Sequence, residues 1–468
     1  MQLSHTRPVV SATFDEPNLV SAAGLVPLMA LARKARLRDL ADERLTVPTD
    51  KGANAGLKLS SLVAGMAAGA DSIDDMALLR HGGMGKVFAG AYAPSTLGQF
   101  LRTFTFGHVR QADAIASRFL LGLAEHTEVF GGAGDGGTVM VDIDDTIIEV
   151  HGYAKQGAAF GYSGVRGLNA LLATVSTEQI APVIAAQRLR KGSVGSPRGA
   201  ARLATDALAL VRRSQLAGRD VLVRADSAFY SHALVTAAMK AGANVSVTVR
   251  MDPAVKRAIA SIAEDAWTTI RYTDAVYDEA TGSWVSRAEV AEIPFTAFSS
   301  RKKADQVPGR LVVRRIPDLN PKKDTGQETL FETWRFHAFF TTTDPDQADT
   351  VAADRTHRRH AIIENVHADL KASALAHLPS GKFTANAAWL VCAVMAFNLT
   401  RAAATVTKTP SLARATTATI RRKLIAVPAR IATSARRLRL HLPTAWPWHT
   451  AWTALYDALF KRAVPAAT

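Results

Sequence analysis

The stretch that most constrains the fold is Val141-Asp142-Ile143-Asp144-Asp145-Thr146, an apolar and acidic alternation entered from the Gly-rich loop Gly131 to Gly137. In a β-strand successive side chains point to opposite faces, so Asp142 and Asp144 share one face while Val141 and Ile143 pack on the other. On the rise of a strand two such carboxylates stand about 6.5 to 7 Å apart. Like charges held that close beside a buried sheet repel unless a cation or a proton offsets them. The strand therefore predicts half of a metal site, although a solvated acidic strand end or an Asx-type turn uses the same residues.

The chain around this strand predicts a mixed α/β architecture. Residues 20 to about 130 read as helical, with segments Leu25 to Arg33, Leu57 to Ala68 and Gln111 to Leu123 separated by Pro, Gly and Asp. Strands are predicted over Thr138 to Glu149, Leu168 to Val175 and Ile180 to Leu189, followed by a helix from Pro197 to Arg213. Val221 to Asp226 reads as a buried strand ending in an acid, then come a helix (His232 to Ala241) and a strand (Val245 to Val249). Strands first and then alternating helix and strand make a mixed sheet with acids at strand ends. From about 265 to 340 short β-like runs with Trp267, Trp284 and Trp334 alternate with basic loops at Arg301-Lys302-Lys303 and Pro321-Lys322-Lys323, a β-rich insertion. Helices resume over Asp346 to Ala376 and Ala385 to Ala403. The expected organisation is a helical N-terminal region (1–130), a first core segment (131–264), the insertion (265–340), a second core segment (341–400) and a basic C-terminal region (401–468).

Charge narrows the partner more than the fold. A formal net charge of +15 and a pI near 10.0 favour a polyanion such as nucleic acid. After Arg401 come Lys408, Arg414, Arg421, Arg422, Lys423, Arg430, Arg436, Arg437 and Arg439 with no acid before Asp457. Such a block either binds a polyanion or forms a self-repelling face. The single cysteine, Cys392, sits in an apolar run and reads as core. No apolar run approaches the ~18 to 20 residues of a membrane helix, and the first thirty residues lack a secretory pattern. The expectation is a cytoplasmic protein, at the nucleoid when bound to DNA, with no membrane partner.

A second informative stretch is the helix predicted from His357 to Lys371. His357, His360, Glu364, His367 and Lys371 advance by threes and fours and form one polar stripe, opposite Ile362, Ile363, Val366 and Leu370. The stripe is either a solvent face or a functional one. Three acids from three elements, Asp144 or Asp142, Asp226 and Glu364, would suit two Mg²⁺ ions, because hard cations choose carboxylate oxygens. Two such ions can serve both the attacking and the leaving oxygen of an in-line phosphodiester displacement. A zinc set of His360, Glu364 and His367 lacks the His-Glu-x-x-His spacing and any further His or Cys cluster. A nucleophile at Ser227 lacks the glycines of a nucleophile elbow.

Asp144-Asp145-Thr146 on a strand, Arg224 to Tyr230 after a strand and Ile363 to Lys371 on a helix resemble the three catalytic boxes of bacterial insertion-sequence DDE transposases. The resemblance covers about residues 138 to 400. It implies an RNase H-like core with a β-rich insertion between the second Asp and the Glu. It also implies binding of terminal inverted repeats in double-stranded DNA, metal-dependent cleavage and strand transfer with Mg²⁺ (Mn²⁺ as substitute), and a homodimer on paired ends. Carried over by position, the first ligand is Asp144, with Asp142 the competing assignment, the second is Asp226 and the third Glu364. Lys371 matches the signature lysine, expected on a DNA phosphate. His357 and His360 stand where the signature Tyr-x-x-Arg-x-x-x-Glu has Tyr and Arg. Arg358 and Arg359 would then supply the cation to DNA, and Trp334 is the insertion aromatic expected to stack on a displaced base. A decayed or repurposed DNA-binding protein, or an RNase H-like nuclease without strand transfer, would share these features.

Overall fold

The computed structural model describes residues 12–48, 53–131, 136–278, 283–317, 334–435 and 437–461. Part of the Gly-rich loop (132–135), Pro321-Lys322-Lys323, Arg436 and the side chain of Trp284 lie outside the described residues. After the short strand β1 (Leu19–Val20), the apolar periodicity of the first 130 residues resolves into helices. These are α1 (Leu25–Lys34), α2 (Leu37–Arg44), α3 (Ala55–Ala68), α4 (Pro94–Arg102) and α5 (Phe106–His126). Pro94 occupies the first turn of α4, where its missing N–H would have no partner anyway. Thr105 and His108 close α5 with a capping box.

The acidic stretch lies in β2 (Val139–Glu149), followed by β3 (Ala159–Phe160), β4 (Arg166–Ser176), β5 (Val183–Lys191), β6 (Val221–Ala225) and β7 (Asn244–Thr248). β2 pairs antiparallel with β4, and β4 with β5; on its other side β2 pairs parallel with β6, and β6 with β7. The order β5-β4-β2-β6-β7 puts the acidic strand at the centre. Helix α6 (Ala200–Arg212) leads into β6, and α7 (His232–Lys240) is the crossover that the parallel β6–β7 pair requires. Val141 and Ile143 are buried in the core, as the alternation predicts.

The insertion does not fold as a sheet of its own. After α8 (Pro253–Ala260), strands β8 (Thr268–Asp278), β9 (Ser283–Ala297), β10 (Val307–Pro317) and β11 (Trp334–Thr341) extend the same ten-stranded sheet, because β11 pairs antiparallel with β7.

Helices α9 (Thr350–Arg358), α10 (Ile362–Lys371), α11 (Phe383–Val406) and α12 (His449–Phe460) follow. The single helix expected from His357 to Lys371 is interrupted: α9 stops at Arg358 and Arg359–Ala361 tighten into a 3₁₀ turn before α10. The polar stripe consequently spans several environments, with His367 buried, His357 and His360 half-buried, and Glu364 and Lys371 exposed. The reading that no apolar run reaches membrane length is also corrected. α11 has 24 residues with a mean hydropathy of 1.5, but its apolar window is wholly buried inside the protein, Cys392 included. It packs on α5, α3 and β5.

The basic C-terminal region folds back on the start of the chain. β12 (Ala429–Ser434) pairs with β1 and with β13 (Arg437–His441), and α12 packs on α1. Part of its charge is used internally: Arg401 lies 3.7 Å from Asp369, Lys408 pairs with Glu128, and Arg414 donates to the Glu178 and Gln179 carbonyls. Arg422, Arg430, Arg437 and Arg439 remain exposed.

Candidate active site

The three acids of β2 have three different environments. Asp142 is fully enclosed, with Arg224 Nε and Nη2 donating to its Oδ1 and Oδ2 at 2.7 and 2.8 Å and His360 Nδ1 3.0 Å from Oδ1. Arg224 comes from the position directly opposite Asp142 in the parallel register and also donates to the Thr356 carbonyl at 2.5 Å. Burial alone would raise the Asp142 carboxyl, but the Arg224 guanidinium and the His360 hydrogen bond outweigh it and hold it below the usual carboxylate range. Both oxygens of Asp142 are thus engaged within the protein. Asp145, on the opposite face, pairs with Arg190. Asp144, 21% exposed, instead faces the imidazole of His367, whose Nε2 lies 3.5 Å from Oδ2.

The second acid arrives through the β2–β6 register. Ala225 is paired with Ile143, so Asp226, just past the end of β6, comes next to Asp144 of β2 across strands spaced about 4.8 Å apart. Asp226 caps the short 3₁₀ turn Ser227–Phe229, its Oδ1 accepting from the Ala228 N–H at 2.9 Å. Partial burial first, and then the charge of Asp144, push the Asp226 carboxyl above its ordinary value. The Ala228 N–H and the charge of His360 oppose this shift without cancelling it.

The third element is α10, which packs on β2. Glu364 lies in its first turn, exposed, one turn before His367. His367 is 5% exposed, and neither of its ring nitrogens has a hydrogen-bond partner. Among the described residues no three His, Cys, Asp or Glu side chains converge closely enough to hold a metal in common. The fit to a divalent cation is therefore incomplete: Asp144, Asp226, Glu364 and His367 do not form a common metal-holding group among the described residues.

The remaining sequence-predicted residues have other partners. His357 stacks on Phe339 (ring centroids 4.0 Å apart, 8° between planes), and its two ring nitrogens meet Ser246 Oγ at 2.8 Å and Thr248 Oγ1 at 2.9 Å. Burial, then the neighbouring His360 and Arg224 charges, lower its pKa to about 3, so the ring is neutral and directed inward rather than at DNA. Arg358 donates to Asp354 at 2.8 Å, and exposed Arg359 pairs with Glu178 at 2.5 Å. Lys371 lines a cleft of about 800 Å³ together with Asp145, Tyr162 and His377. Trp334 opens β11, and the Arg315 guanidinium lies 4.4 Å from its ring and 4.3 Å from that of Trp267.

Sequence reasoning missed Arg224, Arg190 and the orientation of His367. Arg224 was detectable in part, because two residues before Asp226 on a strand means the same face. Its pairing with Asp142 needed the parallel register, which the sequence does not display.

No curated protein matches the chain. Among solved structures it is similar to one described as "Cryo-EM structure of piggyBac transposase synaptic complex with hairpin DNA", at 10% identity and a TM-score of 0.41, over 85% of this chain and 81% of that one. A family model described as "Transposase DDE domain group 1" matches residues 3–464. With nearly all of its length matched by that model, the chain belongs to the DDE transposase family.

Proposed function

We propose that this chain is the DNA transposase of an insertion sequence, cutting double-stranded DNA at the element's terminal inverted repeats and joining the freed ends to target DNA. Asp144, Asp226 and Glu364 are its catalytic acids. The observation that carries the reading is the placement of Asp226, just past the end of β6, next in register to Asp144 of the parallel strand β2. The strand order β5-β4-β2-β6-β7, antiparallel on one side of β2 and parallel on the other, supports an RNase H-like core. The net charge of +15 and the exposed Lys371, Arg422, Arg430, Arg437 and Arg439 support a DNA partner, bound with strong salt dependence.

Asp144 and Asp226 with Glu364 are the residues that would hold a divalent cation, Mg²⁺ or Mn²⁺, and such an ion would supply Lewis-acid activation and charge neutralisation at the phosphate. The chain's own part is positioning. Arg224 and His360 clamp Asp142, which locks β2 against β6 so that Asp226 leaves the end of β6 next to Asp144 of β2. Glu364 and Lys371 are seven positions apart on α10 and so share one face of that helix, the lysine as a phosphate contact. Water as nucleophile gives cleavage, and a freed 3′-hydroxyl in the same place gives strand transfer. Two ends must be cut together, which favours a homodimer on paired ends. His357 and His360, where the signature has Tyr and Arg, both make internal hydrogen bonds, so these departures are not by themselves a reason to read a decayed copy.

The test is cleavage of a labelled fragment carrying the gene with its own flanking DNA, in Mg²⁺ or EDTA, beside Asp226→Asn and Glu364→Gln. Discrete metal-dependent cuts at flanking inverted repeats, lost in both variants with end binding retained, are expected. Cutting that persists in either variant overturns the triad. Specific binding by the natural chain with no cut under any metal would favour the DNA-binding protein without catalysis.

A further inference from the structure

We infer that the hairpin β12–β13 is a two-stranded ribbon that reads base edges in the major groove of the insertion sequence's terminal DNA, with Arg437 and Arg439 on guanines. The inference rests on the transposase reading and goes beyond a general attraction for phosphate, because it assigns sequence recognition to named residues.

The register sorts the hairpin's side chains by face. Arg430 is paired with His441, Ala432 with Arg439 and Ser434 with Arg437, and directly paired residues of an antiparallel ladder lie on the same face. Alternate residues of one strand share a face as well, so these six form one side of the ribbon. Ile431 and Leu440, then Thr433 and Leu438, are the pairs of the other side. Ile431 is 2% exposed and Leu440 packs against the same core, which turns the basic side outward. Arg430, Ser434, Arg437, Arg439 and His441 are all exposed. Toward the turn the inner side is uncovered too, since Thr433 and Leu438 are both exposed. The ribbon is therefore rooted at one end, where Ala429 and Arg430 pair with β1, and projects from the body at the other.

Shape and chemistry fit one occupant. The major groove of DNA, about 12 Å wide, admits a two-stranded β-ribbon, while the minor groove is only about 6 Å wide. Residues two apart on a strand advance by about 6.5–6.8 Å, which matches two base steps of about 3.4 Å. Arg437, Arg439 and His441 thus repeat in step with stacked bases. A guanidinium donates as a fork to O6 and N7 of guanine, the commonest specific contact in that groove. Ala432 and Ser434, opposite Arg439 and Arg437, are small and leave the base edges room to approach. Neither strand contains an acid, and the acid at the root, Glu16, lies 3.7 Å from Arg430. Arg430 and His441, at the rooted end, then stand nearest the groove rim and meet backbone phosphates.

The experiment reads DNA binding in EDTA, so its outcome does not depend on a metal site. The full chain is titrated with duplexes from the gene's own flanks and with a mixed-sequence duplex of equal length. The flank site is located by hydroxyl-radical footprinting and remade with a deazaguanine that lacks the N7 acceptor but keeps every phosphate. The expected result is a preference for the flank duplex that falls roughly tenfold or more with the deazaguanine duplex, and by a similar factor in Arg437→Ala and in Arg439→Ala, both checked for folding by circular dichroism. The deazaguanine loss should shrink in the variants, because the same contact is already gone. Losses in the variants that are equal on both duplexes, with no response to deazaguanine, mark phosphate contact alone and overturn the inference. Binding unchanged by the substitutions marks a solvated face and overturns it too. Flank preference that survives both substitutions overturns the ribbon's role and leaves the transposase reading standing, whereas a natural chain with no preference for its own flanks overturns that reading as well.

Discussion

Asp142 and Asp144 lie two residues apart on one face of β2, yet the first is sealed beneath Arg224 and His360 while the second, 21% exposed, opens toward Asp226 and His367. Chemically the two side chains are the same, and the strand alternation treats them alike. What separates them is the neighbouring strand: β6 presents Arg224 opposite Asp142 and, one step past the Ile143–Ala225 pair, Asp226 beside Asp144. Arg224 and Asp226 therefore give the deep end of the acidic face a cation and the open end a second anion. The deep end is a clamp, and the open end sets two carboxylates near each other.

The largest expected difference follows from that contrast. Removing one partner of a buried ion pair leaves the other charged and uncompensated, at a cost of about 3–5 kcal/mol. Asp142→Ala should lose stability on that scale in urea melts. Asp144→Asn should melt at or above the natural chain's midpoint, because it removes a repulsion, while abolishing metal-dependent cleavage. Equal destabilisation at the two positions would break the comparison. A smaller effect appears in pH dependence, with opposite signs. The Asp142 carboxyl is depressed from 3.8 on folding, so its contribution is present above that value and is lost as pH falls through the folded pKa. The Asp226 carboxyl is raised from 3.8, so its contribution is present below that value and is lost as pH rises through the folded pKa. In EDTA, Asp226→Asn should therefore gain on the natural chain as pH is raised above about 4. His357, lowered from 6.5 to about 3, contributes stability above 6.5 that is lost on acidification, but it does so in both proteins and cancels in the difference.

These contrasts also show how far the sequence could be read. The acidic strand, the strand ending in Asp226 and the helices α5 and α6 were legible because each carries its period or its caps within one local window, and α11 because its apolar run is too long for a strand. The break at Arg359–Ala361 was not, because the apolar positions of α9 and α10 keep an approximate helical phase across a 3₁₀ turn. The choice between Asp142 and Asp144 was open for a different reason: it depends on the β2–β6 register, a contact between residues 82 positions apart. The basic tail read as one polyanion-binding block, yet Arg401, Lys408 and Arg414 meet acids or carbonyls from elsewhere in the fold. Charge runs disclose sign, not partner.

The smallest effect concerns Trp334, where the same question of enclosed versus available arises in the insertion. Arg315 lies over Trp334 and Trp267 and pairs with Glu264 and Glu289, an enclosed cation that resembles Arg224 at Asp142. A cation–π contact of this kind contributes about 0.5–1 kcal/mol at an accessible site and about 2 kcal/mol when desolvated. If Trp334 serves Arg315, Trp334→Ala should lower stability by about 1 kcal/mol. Cleavage measured well below the melting midpoint should stay within about twofold of the natural chain, since about 0.4 kcal/mol or less would then reach the transition state. The base-stacking role makes the reverse forecast: an unchanged melt, with cleavage reduced by roughly tenfold or more, because stacking on an unpaired base is worth about 1–3 kcal/mol. Trp267→Ala supplies the control, since it touches the same guanidinium from the other strand-end segment and should reproduce the stability loss in either case.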